Sequence, residues 1–323
     1  MNRSLGLRRQ ASEREAGRLR PASIADPNAS RGPRTVPRSS TDRAYSRWFY
    51  VPAVAVFIVI FVIPTVAAFY FSLTRWTLFD ATFIGLENFR QFFREPALTM
   101  GLRNTVVYAV VTSALKVILG LLLAALLTSR LRLRHVLRSI IFFPVLVSTV
   151  AVGITFAVLM HPSNGLINRA LEVVGIDGPS WLIDTDIALL SVALVDVWRG
   201  VGIALVIFIA AILSIPDEYN DAVKLEGGVW ARFRHVTVPL SRNATHTVIL
   251  LSFISGLRTF DLIWTMTRGG PGFTTDVITS TIYKQYQAGF YGLATAGNVI
   301  LFIGVTLIVY PLLRYFSRRE IDL

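Results

Sequence analysis

Six apolar runs, each long enough to cross a bilayer, constrain this chain more than any other feature. A spanning helix takes about 20 residues, and such runs lie near residues 48–73, 105–128, 139–160, 187–213, 244–265 and 293–316. Inside lipid every backbone N–H and C=O must be satisfied within the segment or by a closed barrel. Barrel strands need only about 9–11 residues, so runs of this length read as helices. The expected fold is an all-α integral membrane protein with six transmembrane helices. The first run is too long for a signal-peptide core and follows a 47-residue tail, so it is read as a retained span.

The placement of basic residues sets the expected orientation. Of the 32 lysines and arginines, 22 fall in the tail, the second and fourth loops and the C-terminal end, 7 in the other three loops, and Lys116, Arg199 and Arg258 inside spans. The short second loop alone carries Arg130, Arg132, Arg134 and Arg138. Both termini are therefore expected in the cytoplasm of a multi-pass protein. The net charge of +12 follows from this bias, so nucleic acid is not an expected partner. Residues 1–43, rich in Arg, Ser, Pro and Ala, cannot build a core and read as a disordered basic tail. The membrane-spanning body then runs 44–323, with its core at about 100–316.

The loops expected outside differ in character. The first holds Trp76, Phe79, Phe83, Phe89, Phe92 and Phe93, aromatics suited to a membrane interface or a partner contact. The third holds a short helical pattern at 166–174. The fifth opens with Arg268-Gly269-Gly270-Pro271-Gly272, a strong turn signal.

Chemistry on this polypeptide is not expected. Cysteine is absent, which excludes disulfides and thiolate metal sites. No phosphate loop of the G-x-x-x-x-G-K-S/T type and no H-E-x-x-H pair occurs; His135, His161, His235 and His246 are scattered. The reading is of a non-catalytic chain with no cofactor of its own.

Charges inside spans are costly and must face protein or water. Lys116 lies about 16 Å, and Asp196 and Arg199 about 14–18 Å, in from the outer ends of their spans. Arg258 and Asp261 lie about 6–11 Å in. Asp196/Arg199 and Arg258/Asp261 are spaced i,i+3, which puts each pair on one helix face. They line a polar cavity or are ion pairs that fix packing. Trp198 and Phe260 sit beside them and offer aromatic faces to the apolar side of a solute or to the core. Ser252 through Gly256 has small-x-x-x-small spacing, read as close helix packing.

The stretch 215–239 is a polar insert between two apolar runs, longer than a simple turn requires. Pro216 suits a first helical position, with Asp217 and Glu218 at the positive end of the helix dipole. The helix is expected to end at Gly227-Gly228, followed by a second helix over 229–236 with Val229, Phe233 and Val236 on one face. Either a cytoplasmic partner grips it or it lies on the headgroups.

Here the residues resemble a family. Asp221-Ala222-Val223, Gly227 and Val238-Pro239 resemble the EAA loop of membrane subunits in binding-protein-dependent ABC importers, with Asp221, Val223 and Val238 departing from the literal pattern. Thr267-Arg268-Gly269-Gly270-Pro271-Gly272, with Thr274-Thr275 and Ile282-Tyr283, resembles the segment after the fifth span in sugar permeases of the maltose-transporter type, and Trp198-Arg199-Gly200 is similar too. The resemblance covers roughly 48–323. It implies the type I importer transmembrane fold in a bacterial inner membrane. It implies a coupling role for Glu218, Asp221, Ala222, Lys224, Gly227, Phe233 and Pro239, and a substrate pathway at Asp196, Trp198, Arg199, Arg258, Phe260 and Asp261. Its implied partners are a second homologous permease, two ATPase subunits that bind ATP and Mg, an extracytoplasmic solute-binding protein and a small carbohydrate. An ion-coupled secondary transporter is the alternative, with the intramembrane pairs as a relay.

Overall fold

The computed structural model describes residues 47–77, 79–129, 131–216, 218–219 and 227–318. The basic tail lies outside the described residues. The chain divides into two units, Met1–Ile58 and Val59–Leu323. In the first, Arg47–Tyr50 and Val51–Phe57 are helical, and the side chains of 48–58 are all exposed and apolar or aromatic.

Among the described residues four helices are long and apolar enough to cross a membrane: α1 (Trp48–Phe71), α3 (Pro96–Leu127), α7 (Ala188–Leu213) and α12 (Tyr291–Ser317). The other two expected spans are broken. The third run forms α4 (Arg134–Leu146) and α5 (Thr149–Leu159), which meet at 99°. Pro144 has no N–H for the helix ladder, and Val147 and Ser148 then turn extended. The fifth run forms α9 (Arg242–Leu257), only 16 residues long, and α10 (Asp261–Met266). Arg258 to Phe260 leave the helix between them, and the Thr279 hydroxyl bonds the Thr259 carbonyl freed by that break. Irregular backbone at such depth is tolerated where protein satisfies it.

The loops carry structure the aromatic pattern did not foretell. The first contains a small antiparallel hairpin, β1 (Thr74–Trp76) with β2 (Ala81–Phe83), and α2 (Glu87–Arg94). Asn88 pins α2 to the hairpin by donating to the Ser72 and Thr74 carbonyls at 2.9 and 2.8 Å. The third contains α6 (Leu166–Val173), close to the helical pattern read there. The fifth contains α11 (Ile278–Gln287). A helical stretch from Val229 to Leu240, α8, passes through a π turn at Phe233–Thr237.

In lipid, helices associate by close packing rather than by escape from water, and small residues set the approach. The long α3 packs on α7 and α9. A methyl at Gly120 would sit 2.7 Å from the Ala204 Cβ, and one at Gly256 would sit 2.7 Å from the Ala109 Cα. So Gly256 is a packing residue, as its spacing suggested. Three apolar clusters result. Tyr108, Val192, Val195, Leu262 and Ile263 form one, and Ala124, Leu127, Leu205, Phe208 and Val248 a second. Phe92, Leu98, Ile278, Ile282 and Leu293 form the third. The first two lie along the α3–α7 seam on either side of Lys116 and Asp196.

Candidate functional site

Lys116 of α3 and Asp196 of α7 meet in that seam, Nζ to Oδ2 at 2.8 Å. Both are buried. Gly200, one turn beyond Asp196, makes room for the lysine: a methyl there would lie 2.7 Å from Cε and 2.9 Å from Nζ. The expected Asp196/Arg199 pair is therefore corrected. Both residues are on one face, but the lysine reaches the carboxylate from the neighbouring helix and takes it. Arg199 makes no ion pair among the described residues, and its buried Nε has no hydrogen-bond partner.

This arrangement opens onto a cleft of about 90 Å³ bounded by Lys116, Asp196, Arg199, Ser252 and Ser255. The two serines stand three residues apart on α9, and neither hydroxyl bonds protein among the described residues. They were read from sequence only as part of a packing motif; their shared i,i+3 face was the available signal. The buried Tyr108 hydroxyl lies near Asp196 and Thr259 but outside hydrogen-bonding geometry to either. One ion pair, one unpaired cation and unspent hydroxyls thus converge inside apolar helices. Such a site can exchange hydrogen bonds with a hydroxylated or anionic solute.

The other expected pathway residues go elsewhere. Trp198 points away from the cleft; it is 46% exposed and packs on Phe156, ring centroids 5.1 Å apart. Arg258 and Asp261 do not share a helix face, because α9 ends at Leu257 and Asp261 starts α10. Both are exposed, and no ion pair joins them among the described residues. Phe260, in the break, stacks on Trp264 and meets Tyr283 edge-on.

In the insert, Asp221, Ala222, Lys224 and the rest of the expected helix over 220–226 lie outside the described residues. Glu218 is helical and exposed, and Gly227 and Pro239 are exposed. Trp230 stacks on Phe233 at 5.6 Å beside a groove of about 570 Å³. That groove runs between α8 and the Leu122–Ser129 end of α3. Val229 and Val236 do not share an environment: the first is exposed and the second buried.

The Gly-Gly-Pro segment folds as a compact knot. Asp276, fully buried, accepts from Ser280 Oγ at 2.7 Å and from Lys284 Nζ at 2.6 Å. Burial pushes its carboxyl above the usual range, and the Lys284 and Ser280 contacts offset only part of that. Gly269, at φ +85°, is pressed against the Asp276 carboxylate, where no side chain fits. Asn104 of α3 donates to the Thr274 and Asp276 carbonyls at 2.8 and 2.9 Å, tying the knot to the bundle. The Gly270–Pro271 bond is cis.

Residues 116–322 match the family described as binding-protein-dependent transport system inner membrane component. The probable ABC transporter permease protein YurN of Bacillus subtilis (strain 168) is 33% identical, over 84% of this chain and 96% of its own. The trehalose/maltose transport system permease protein MalF of Thermococcus litoralis is 30% identical, over 78% and 87%. Among solved structures, a bacterial ABC transporter involved in the import of the acidic polysaccharide alginate superposes with a TM-score of 0.75. The identity is 20%, and 85% of this chain and 95% of that chain are covered. At that identity the likeness concerns the fold.

Proposed function

We propose a transport mechanism for this chain, which belongs to the family of binding-protein-dependent transport system inner membrane components: it is one membrane-spanning half of an ATP-driven carbohydrate importer. The sugar assignment is supported by the names of relatives such as the trehalose/maltose and lactose permeases. The observation that carries the pathway is the buried Lys116–Asp196 bond opening onto the cleft with Arg199, Ser252 and Ser255. Polar groups inside apolar spans cost several kcal/mol when unmatched. A solute that passes through supplies the missing partners for a moment, which is what a low-affinity transit site requires.

Work reaches that cleft from the cytoplasmic side. The insert 215–239 joins α7 to α9, the helices that carry Asp196 and Arg199 on one side and Ser252 and Ser255 on the other. A push on the insert by ATPase subunits would shift α7 against α9 and open the cleft to alternate sides. ATP and Mg would bind those partner subunits. A second, homologous permease would close the other half of the pathway, and a loaded binding protein would dock on the outer loops. Both termini then face the cytoplasm, and residues 44–323 act as one permease body.

The test is uptake into proteoliposomes by the reconstituted complex. The expected result is sugar entry that needs the loaded binding protein and internal ATP and survives an ionophore. Entry that persists without ATP and collapses with the ionophore would establish ion coupling instead. Gly227→Pro, or Ala222→Glu, is expected to abolish solute-stimulated ATP hydrolysis while leaving the chain in the membrane; normal stimulation in both would remove the insert from the coupling route.

A further inference from the structure

A second cavity, of about 420 Å³, lies on the outer side, bounded by Trp76 of β1, Phe260, Tyr283 and Tyr286 of α11, and Tyr291 and Asn298 of α12. Its size falls within the range of roughly 300–1,000 Å³ found for ligand pockets. Its walls are aromatic to an unusual degree, and its rings are held. Trp76 stacks on Phe71 at 4.3 Å and meets Tyr291 at 5.6 Å, and Tyr291 meets Tyr286 edge-on at 5.2 Å. Phe260, Trp264 and Tyr283 form a second group of rings.

Three features define what this cavity takes. Among the described residues no charged side chain lines it, in contrast to the cleft at Lys116. Part of its hydrogen-bonding capacity is unspent: the Thr279 and Thr295 hydroxyls in its wall bond backbone carbonyls, but the Tyr283, Tyr286 and Tyr291 hydroxyls and the Asn298 amide bond no protein group among the described residues. Asn298 also lies about 10 Å down α12 from Tyr291 and is exposed. An amide turned to hydrocarbon without a partner costs about 2–7 kcal/mol, so this face of α12 meets water, ligand or protein rather than lipid tails.

From these we infer that the cavity is an outer subsite for a neutral sugar ring, distinct from the mid-span cleft. The C–H faces of a pyranose match aromatic faces, and its edge hydroxyls match tyrosine O–H and an amide that both gives and accepts. An uncharged lining disfavours an ionised sugar, which would lose hydration without a counter-ion. Placed beside Phe260 and the break between α9 and α10, the subsite receives solute before it reaches Ser255, three residues upstream of Arg258.

The inference rests on the importer reading and is separable from it. The assembled complex is placed in nanodiscs without binding protein, and Trp76-dependent emission, isolated by subtracting a Trp76→Phe complex, is titrated with maltose, trehalose, lactose, cellobiose and glucuronate. At least one neutral disaccharide should quench saturably, and glucuronate should bind at least tenfold more weakly. Tyr286→Ala, at a half-exposed ring, and Tyr291→Phe, which removes only a hydroxyl, should weaken that quenching about tenfold and severalfold. The subsite is overturned if no neutral disaccharide quenches, if glucuronate binds as well, or if both variants bind as the parent does. If the parent complex hydrolyses ATP in response to sugar-loaded binding protein in that case, only the subsite falls. If it responds to no sugar at all, the carbohydrate reading itself fails.

Discussion

Two lysine–aspartate pairs hold this chain at different depths. Lys116–Asp196 joins two spans at 2.8 Å, and Lys284–Asp276 closes the fifth loop at 2.6 Å. The contact is nearly the same; the surroundings are not. Asp276 also accepts from Ser280, and Lys284 keeps 30% of its side chain exposed, so the loop pair is satisfied on one side and wet on the other. Among the described residues Asp196 accepts a hydrogen bond from the lysine alone, with the Tyr108 hydroxyl nearby, and Lys116 and Asp196 both sit between apolar clusters. A satisfied, partly wet pair fixes a shape. A lone buried pair beside Arg199 and two idle serines leaves hydrogen-bonding capacity unspent.

The sharpest way to break that contrast is to remove one carboxylate at a time. Asp196→Leu should cost about 3–5 kcal/mol, the penalty of stranding a buried charge, read as a fall in the melting midpoint of the detergent-solubilised complex. Lys116→Leu with Asp196→Leu should recover most of the stability yet leave proteoliposome uptake abolished. Recovery of uptake in the double variant would reduce the pair to a packing device. Asp276→Leu should cost less, about 1–3 kcal/mol, because Lys284 turns to water; equal losses at the two sites would erase the distinction.

A smaller effect tests the Asp276 pair by pH. A carboxyl raised in the folded state holds its proton more tightly there than when unfolded, so its contribution to stability grows as pH falls through the folded value and is lost as pH rises again. Hydrogen exchange of the segment 274–280, compared between parent and Asp276→Asn, should show the parent gaining protection relative to the variant between neutral pH and about pH 4. A parent that loses protection over that window contradicts the direction given by burial. Smallest of all, Trp198→Ala should leave uptake within about twofold, since the ring packs on Phe156 outside the cleft; a tenfold loss would return Trp198 to the pathway.

Much of this was legible in the chain because membrane residence is written in run length. Four of the six runs appear as continuous helices, and 166–174 appears as α6 within a residue. Gly256 could be read as a contact because small residues at a four-residue spacing have one common use. Partners could not be read. An i,i+3 spacing puts Asp196 and Arg199 on one face, but a lysine 80 positions earlier takes the carboxylate. Arg258 and Asp261 failed for another reason: the spacing argument assumed a helix that ends at Leu257.

The sequence by itself determined that this is an α-helical membrane chain, where its spans fall and which loops carry the basic charge. Those follow from local quantities, hydrocarbon thickness and the obligation of each backbone group to bond within its segment. Tertiary structure alone decided which charges neutralise each other, where two spans break, and that two cavities differ in chemistry. Those depend on contacts between helices distant in the chain, where one glycine at 200 or 256 sets how close two backbones come.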